Sequence, residues 1–195
     1  KDRIKLNSKI ECIERDNDGV IVSLRDHSTA KYDYIFIATH SDQAIQILRD
    51  ISKSEKEVLS AIKYQENTAI LHTDKSVMPA KERAWAAWNY RQNESDSKSV
   101  NVTYSMNILQ SLDSEFQYFV TLNNSDQINS NKIIRTIKYE HPVFDNNAIQ
   151  AQARHEEINR EPNRTYFCGA YWSNGFHEDG VVSAKNALTH FEESL

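Results

Sequence analysis

Residues 19–24, GVIVSL, alternate apolar and polar positions as a half-buried strand does, and the turn RDNDG ahead of them ends on glycine. KYDYIFIATH, residues 31–40, has a different pattern: Tyr34 to Ala38 is an almost unbroken apolar run. Such a run predicts a strand buried on both faces, as in a parallel or mixed sheet covered by helices. Ser41 is then expected to cap a helix over DQAIQILRD, with Ala44, Ile45 and Leu48 on one face. SEKEVLSAI, residues 54–62, predicts a second short helix opened by a capping box of Ser54 and Glu57.

From about Ile62 to Glu140 the pattern shifts to strands. NTAILHTD, AWAAWNY, VNVTYSM, FQYFVTL and KIIRTIKY are separated by polar or proline-bearing turns, among them SDSKS and NNSDQINSNK. Val100, Val102, Tyr104 and Met106 recur with a period of two, and Trp88 and Tyr90 are expected on one face of their strand as packing residues. This predicts an antiparallel sheet forming its own layer. After it, Asp145 is expected to cap a helix through NNAIQAQARHEE, RTYFCGA to form a short apolar strand, and a last helix to start near Asp179. Val181, Ala184, Leu188 and Phe191 follow at spacings of three, four and three, one apolar stripe expected against the core.

Composition narrows the classes. The chain has 195 residues, 39% hydrophobic and 26% charged, ordinary for a globular protein of one medium or two small domains. A net charge of −5 without a cluster of Lys and Arg argues against nucleic acid as a partner. No apolar run reaches the ~20 residues of a membrane span, and no signal peptide opens the chain. Two distant cysteines, Cys12 and Cys168, make neither a disulfide framework nor a zinc spacing, so a cytoplasmic location is expected. The chain opens at Lys1 without an initiator methionine, so a fragment of a longer protein is expected.

Of the four glycines, Gly169, Gly175 and Gly180 lie in YFCGAYWSNGFHEDG, among aromatics and just ahead of a helix. Glycine serves backbone at positive φ or in close approach, and the first amides of a helix lack intrahelical partners and carry partial positive charge. The segment is either an irregular structural loop or one pressed against an electron-rich planar ligand. The triplet His177-Glu178-Asp179 is not expected to bind metal, because adjacent residues on a tight loop rarely converge on one atom and no second cluster supplies ligands. No Gly-x-Gly-x-x-Gly loop and no Gly-x-Ser-x-Gly elbow occurs, and His40, His72, His141 and His190 are expected to be solvated or satisfied within the fold.

YDYIFIATHSDQAIQIL and RTYFCGAYWSNGFHEDGVVSAKNAL together resemble the flavin-containing amine oxidases and their bacterial NAD/FAD-binding relatives. The first is similar to the family's strand ending in an Ala-Thr turn, the second to its closing segment. YQENTAILHTDKSVMP, AWAAWNY, VTYSMN and HPVFD resemble the bacterial substrate domain, so the likeness runs over nearly all of the chain. It implies an α+β or α/β fold: residues 1–41 and 164–195 as part of a Rossmann-like FAD-binding domain, and residues 42–163 as an inserted substrate-binding domain on an antiparallel sheet with flanking helices. The family's dinucleotide motif is missing, so the rest of the same polypeptide is the implied partner.

By the same resemblance, Thr39 and His40 mark the turn near the adenosine part of FAD, and Cys168, Gly169 and Ala170 lie near its ribityl and pyrophosphate. Gly175, His177 and Glu178 belong to the segment whose amides face the flavin, and Phe176 stands where an aromatic flanks its substrate side. Ala170 replaces a frequent acidic residue and Phe176 a frequent Tyr. A lysine that holds water near the flavin has no clear equivalent, Lys63 and Lys75 being unsupported candidates. The implied activity is FAD-dependent oxidation with non-covalent FAD, acting on a small-molecule amine or lipid-like substrate. The alternatives are a stand-alone substrate-binding module and a non-catalytic interaction protein.

Overall fold

A computed structural model describes residues 3–91, 101–123, 125–160 and 164–195. The loop SDSKS and the position of Val100 lie outside the described residues. In chain order the elements are β1 (Ile10–Asp16), β2 (Gly19–Leu24), β3 (Thr29–Tyr32), β4 (Ile35–Ile37), α1 (Ser41–Ile47) and α2 (Lys53–Ala61). There follow β5 (Lys63–His72), β6 (Trp88–Tyr90), β7 (Val102–Ser105), α3 (Met106–Leu109), β8 (Phe119–Leu122) and β9 (Ile133–Val143). The chain closes with α4 (Asn146–Gln152), α5 (His155–Ile158), β10 (Thr165–Phe167) and α6 (His177–Glu193). They divide into two compact units, Lys1–Tyr64 with Pro142–Leu195, and Gln65–His141.

In the first unit β1, β2 and β3 form an antiparallel meander, and β10 pairs with β4 in parallel. The core joins Ile13, Val20 and Val22 of the meander, Ile37, Leu48, Val58, Leu59 and Ile62 of the next elements, and Ala148, Ala151, Ile158, Phe167, Tyr171 and Trp172. A smaller cluster of Tyr166, Cys168 and Ala187, with Tyr34 and Phe191 beside it, lies between β10 and α6. Cys12 and Cys168 are both free and buried.

The helix starts differ from expectation in register. His40, not Ser41, takes the N-cap of α1; Ser41 is the first helical residue and is fully buried, its amide donating to the Tyr64 hydroxyl at 3.0 Å. The capping box of α2 is Ser52 with Glu55, not Ser54 with Glu57. The Glu55 amide donates to the Ser52 hydroxyl and the Ser52 amide donates to the Glu55 carboxylate, which Arg15 also grips. Asp145 caps α4 as expected, its carboxylate accepting from the Ala148 amide at 2.8 Å, but the helix breaks after Gln152 and restarts as α5.

Two apolar patterns are not buried as expected. Of the run Tyr34 to Ala38 only Ile37 is fully buried, and Phe36 is 41% exposed. α6 begins at His177, and the residues it buries are Ser183 and Ala187; Val181, Ala184 and Leu188 face outward and only Phe191 of that stripe is partly covered.

The second unit is a five-stranded sheet in the order β6-β7-β8-β5-β9. Its buried face carries Ile70, His72, Phe119, Thr121, Thr103 and Ser105, with Val77, Ile128 and Ile133 packing around Ile70. Met106 ends the alternation by starting α3. Trp88 and Tyr90 do share a face, and both are exposed rather than packed into a core.

Candidate functional site

The parallel register of β10 on β4 sets Thr165 opposite Ile35, Tyr166 opposite Phe36 and Phe167 opposite Ile37. Both strands end at one level, so the Thr39-His40 turn and Cys168-Gly169 emerge side by side. Ligands of open α/β sheets bind at such carboxyl ends. The Cys168 amide donates to the Ile37 carbonyl at 3.0 Å, and its thiol lies 3.8 Å from the same oxygen. Burial pushes that thiol up, so it stays protonated and offers no thiolate. Thr39 is exposed, and the His40 ring stacks on Tyr64 with centroids 4.3 Å apart.

Gly169 has φ of 152°, and a Cβ there would lie 2.5 Å from the Tyr171 ring, which is buried in the core. Only glycine fits beneath that ring. Its amide donates to Ser183 Oγ at 2.8 Å, and the Ser183 hydroxyl donates to the Gly180 carbonyl at 2.8 Å. Ser183 therefore ties the strand end to α6. Ala170 opens a 3-10 turn, Ala170–Trp172, and its carbonyl accepts from Ser173 and Gly175. Gly175, with φ of 88°, reverses the chain into α6. Gln152 on α4 holds the loop from below, donating to the carbonyls of Tyr171 at 2.9 Å and Ser173 at 2.7 Å.

Phe176 is the N-cap residue of α6 and is 57% exposed. Its amide donates to the Asp179 carboxylate at 2.9 Å, and the Asn174 amide donates to the same oxygen at 3.2 Å. That is half of a capping box, so Asp179 is committed to holding the helix start. His177 and Glu178 are exposed, and their amides are among the first of the helix, which have no intrahelical partner. The fold thus brings Thr39, Cys168 and Gly169 together through strand pairing and carries Ala170, Gly175, Phe176, His177 and Glu178 on the adjoining turn. Ser183, Asp179 and Gln152 support them. Asp179, an acidic residue three positions after the N-cap, is the one with a sequence signal; Ser183 and Gln152 have none.

His155 and Asn159 close the outer edge of β10: the side-chain Oδ1 of Asn159 accepts from the Phe167 amide, and His155 Nε2 donates to the Phe167 carbonyl at 3.1 Å. Burial lowers the His155 pKa, which keeps its ring neutral where it meets Trp172 edge-on at 4.6 Å. Among the described residues the buried Tyr171 hydroxyl and Trp172 indole N–H have no aligned hydrogen-bond partner.

The second unit presents a surface of its own. Cross-strand pairing lines up Leu71, Val120, Tyr104 and Trp88 across four strands, with Val102 and Tyr90 as a neighbouring pair on the same face. No charged side chain interrupts that row, and Trp88 packs edge-on against Tyr104 at 5.3 Å. Lys75 lies 3.7 Å from Glu82 and over Trp85, and Lys63 is exposed at the start of β5. Among the described residues no three His, Cys, Asp or Glu side chains are grouped as a metal site requires, and no helix is long and apolar enough to cross a membrane.

No protein-family model matches the chain, and no curated protein matches it. Solved structures do. A CLA-producing fatty acid isomerase from P. acnes superposes with a TM-score of 0.64 at 16% identity, over 95% of this chain and 47% of that one. Putrescine oxidase bound to putrescine gives 0.58 at 10% identity, over 95% and 49%. Cyclohexylamine oxidase from Brevibacterium oxydans IH-35A gives 0.57 at 13% identity, over 98% and 49%. At these identities the likeness is one of fold, and the chain spans about half the length of the proteins it matches. The chain thus shares its mixed α/β fold, with antiparallel sheets, with two amine oxidases and a fatty acid isomerase.

Proposed function

We propose that this chain is the C-terminal part of an FAD-dependent oxidoreductase of the amine-oxidase type, with the first unit contributing to the cofactor domain and the second to the substrate domain. The observation that carries the reading is the meeting of two parallel strand ends with the start of α6, where the first helical amides, those of the exposed residues His177 and Glu178, adjoin the Gly169–Phe176 turn. These residues fit a flavin in part. The helix-start amides suit the electron-rich edge of the ring system, whereas the Gly169 amide is taken by Ser183 and the Cys168 thiol is turned to Ile37. With its thiol so turned, Cys168 would offer FAD no covalent link.

A bound flavin would supply the redox chemistry, taking up a hydride from a substrate C–H bond, with dioxygen or another acceptor as the final oxidant. The residues of this chain supply its surroundings. The amides of His177 and Glu178, fixed by the Asp179 cap, stabilise negative charge through the positive end of α6. Phe176 offers an apolar flank that excludes water. Thr39 lines the strand-end turn, and Ala170 and Gly175 set the path of the loop.

The second unit meets the apolar part of the substrate through Leu71, Val120, Tyr104 and Trp88. Putrescine oxidase and cyclohexylamine oxidase act on amines and the isomerase on a fatty acid, so both classes belong in the screen. The same uncharged row favours a second reading, a ligand-binding module without redox activity.

The test is the visible spectrum of the protein expressed from its own gene and purified without added cofactor. Bands near ~370 and ~450 nm, bleached on adding an amine or a fatty acid, are expected of an oxidised flavin with its substrate. A colourless protein that takes up no FAD on reconstitution would sink the oxidoreductase reading and leave the binding module.

A further inference from the structure

We infer that the cleft between α4, α5 and the first half of α6 is a binding site for a small primary ammonium ion, either ammonium itself or a short alkylammonium. The site lies wholly within the first unit and is independent of the cofactor reading.

Asp179, Val182, Ser183 and Asn186 follow one another at spacings of three, one and three, so they share one face of α6. Gln152 of α4, His155 of α5 and Trp172 line the same cleft, which has a volume of about 140 Å³. At roughly 30 Å³ for each water molecule, it has room for a handful of water-sized groups. That suits an ammonium head with a short carbon tail and is too little for a ring system of flavin size.

Three atoms of the lining are acceptors by necessity. Gln152 commits its Nε2 to the carbonyls of Tyr171 and Ser173, which leaves Oε1 to accept. His155 commits Nε2–H to the Phe167 carbonyl, so Nδ1 carries the lone pair. Asp179 takes the amides of Asn174 and Phe176 on Oδ2 alone, which leaves Oδ1. Among the described residues no donor reaches any of these three atoms, and all three side chains are half-buried.

The donors nearby are already used or turned away. The Ser183 hydroxyl donates to the Gly180 carbonyl, and the Trp172 indole N–H is buried and does not open into the cleft. No Lys or Arg lines the cleft, and burial keeps His155 neutral, so the Asp179 carboxylate supplies its one formal charge. The positive end of α6 opposes a cation, and Asp179 at the third helical position offsets it.

An excess of acceptors around a single negative charge selects a cation that carries several N–H donors. A primary ammonium has three, equal in number to Oδ1, Oε1 and Nδ1. A hard metal ion would ask for about six oxygen ligands, more than Asp179 and Gln152 supply. Val182, 46% exposed at the rim, leaves an apolar border for an alkyl tail. Asp179 and Gln152 also hold the Gly169–Phe176 turn, so an occupant would stiffen that turn.

The experiment follows thermal unfolding of the protein expressed from its own gene, at constant ionic strength, with the chlorides of ammonium, methylammonium, potassium and tetramethylammonium. A saturable rise in Tm of a few degrees is expected with the first two, because a ligand of the folded state stabilises it by mass action. Potassium resembles ammonium in size but has no N–H, and tetramethylammonium has none to donate, so neither is expected to raise Tm. Lysine at position 182 would stand one turn from Asp179 and set its own ammonium in the cleft. Val182→Lys is therefore expected to keep the parent's Tm or exceed it and to lose the response, while Val182→Leu retains the response. An equal rise with potassium, a response that survives Val182→Lys, or no saturable rise in the parent would overturn the inference. A surviving response would mark amine binding elsewhere, as at the proposed substrate face, and the flavin spectrum of the same samples reports on the cofactor reading separately.

Discussion

Arg15 on β1 and Glu55 in the first turn of α2 meet through two parallel hydrogen bonds, of 2.6 and 2.9 Å, with the carboxylate fully buried. Arg15 also reaches Asp50 at 2.9 Å, and Glu55 caps its own helix through the Ser52 amide at 2.8 Å. The pair fastens the meander to the helical layer. Burial pushes the Glu55 carboxyl up, but the Arg15 and Ser52 hydrogen bonds outweigh it and hold the pKa below its ordinary value.

Removing one member strands a buried charge. Glu55→Gln is expected to cost roughly 3–5 kcal/mol, and an Arg15→Met/Glu55→Leu double variant distinctly less than the two single variants summed. Urea unfolding of the four proteins checks this. Because the folded pKa is depressed, the contribution of Glu55 is present above the ordinary value of 4.5 and declines as pH falls through it.

Gly169→Ala forces a methyl group against the Tyr171 ring at a φ that favours glycine. A loss of about 1–3 kcal/mol is expected, whereas Gly180→Ala, whose added carbon would lie 3.8 Å from the nearest backbone atom, is expected to be neutral or slightly stabilising. Thermal unfolding of the two variants decides it.

His72 is buried, and its Nδ1 accepts from the Asp74 amide at 3.1 Å, which leaves Nε2 to donate to Thr121 at 2.7 Å. Thr121 in turn bonds to Thr103 at 2.8 Å. Burial lowers the His72 pKa, and the nearby Asp74 charge does not offset it. The folded pKa lies below 6.5, so stability is full above pH 6.5 and falls as the unfolded chain takes up the proton below it. Between pH 6.5 and 5.5 the loss from this group is expected to reach at most about 1.4 kcal/mol. Unfolding at the two pH values checks it, with His72→Gln lacking that share of the slope. His155, neutral by burial in the first unit, adds a share of the same sign that the variant retains.

Trp88→Ala and Tyr104→Ala remove the exposed end of the apolar row while leaving its backbone pairing intact. An increase in KM of roughly tenfold is expected for an apolar substrate, with kcat little changed, since a buried aromatic contact is worth about 1 kcal/mol or more. Equal KM values in variant and parent would remove this face from substrate recognition.

Local chemistry made several elements legible. Asp145 announces α4 because an N-cap needs only its own side chain and an amide three residues on. GVIVSL and RTYFCGA form β2 and β10, and Trp88 and Tyr90 share a face because strand alternation is geometric. The Gly169–Phe176 turn was visible as a cluster of glycines and aromatics, but its supports were not. Gln152 reaches the loop from α4, and Ser183 looks like any small helical residue until Gly169 is placed against it.

By itself the sequence determined several of the helices and strands, β2, α1, α2, α4 and β10 among them, and a closing strand, glycine turn and helix, because these depend on neighbours a few residues away; β1, β3, α3 and the break between α4 and α5 it did not. Tertiary structure decided what those segments cover. Arg15, forty residues from Glu55, fixes the capping box at Ser52. The pairing of β4 with a strand 130 residues later sets Thr39 beside Gly169, and the packing of Ser183 and Ala187 leaves Val181 and Leu188 outside. Periodicity shows that a face is apolar; only the neighbouring chain determines whether that face is buried.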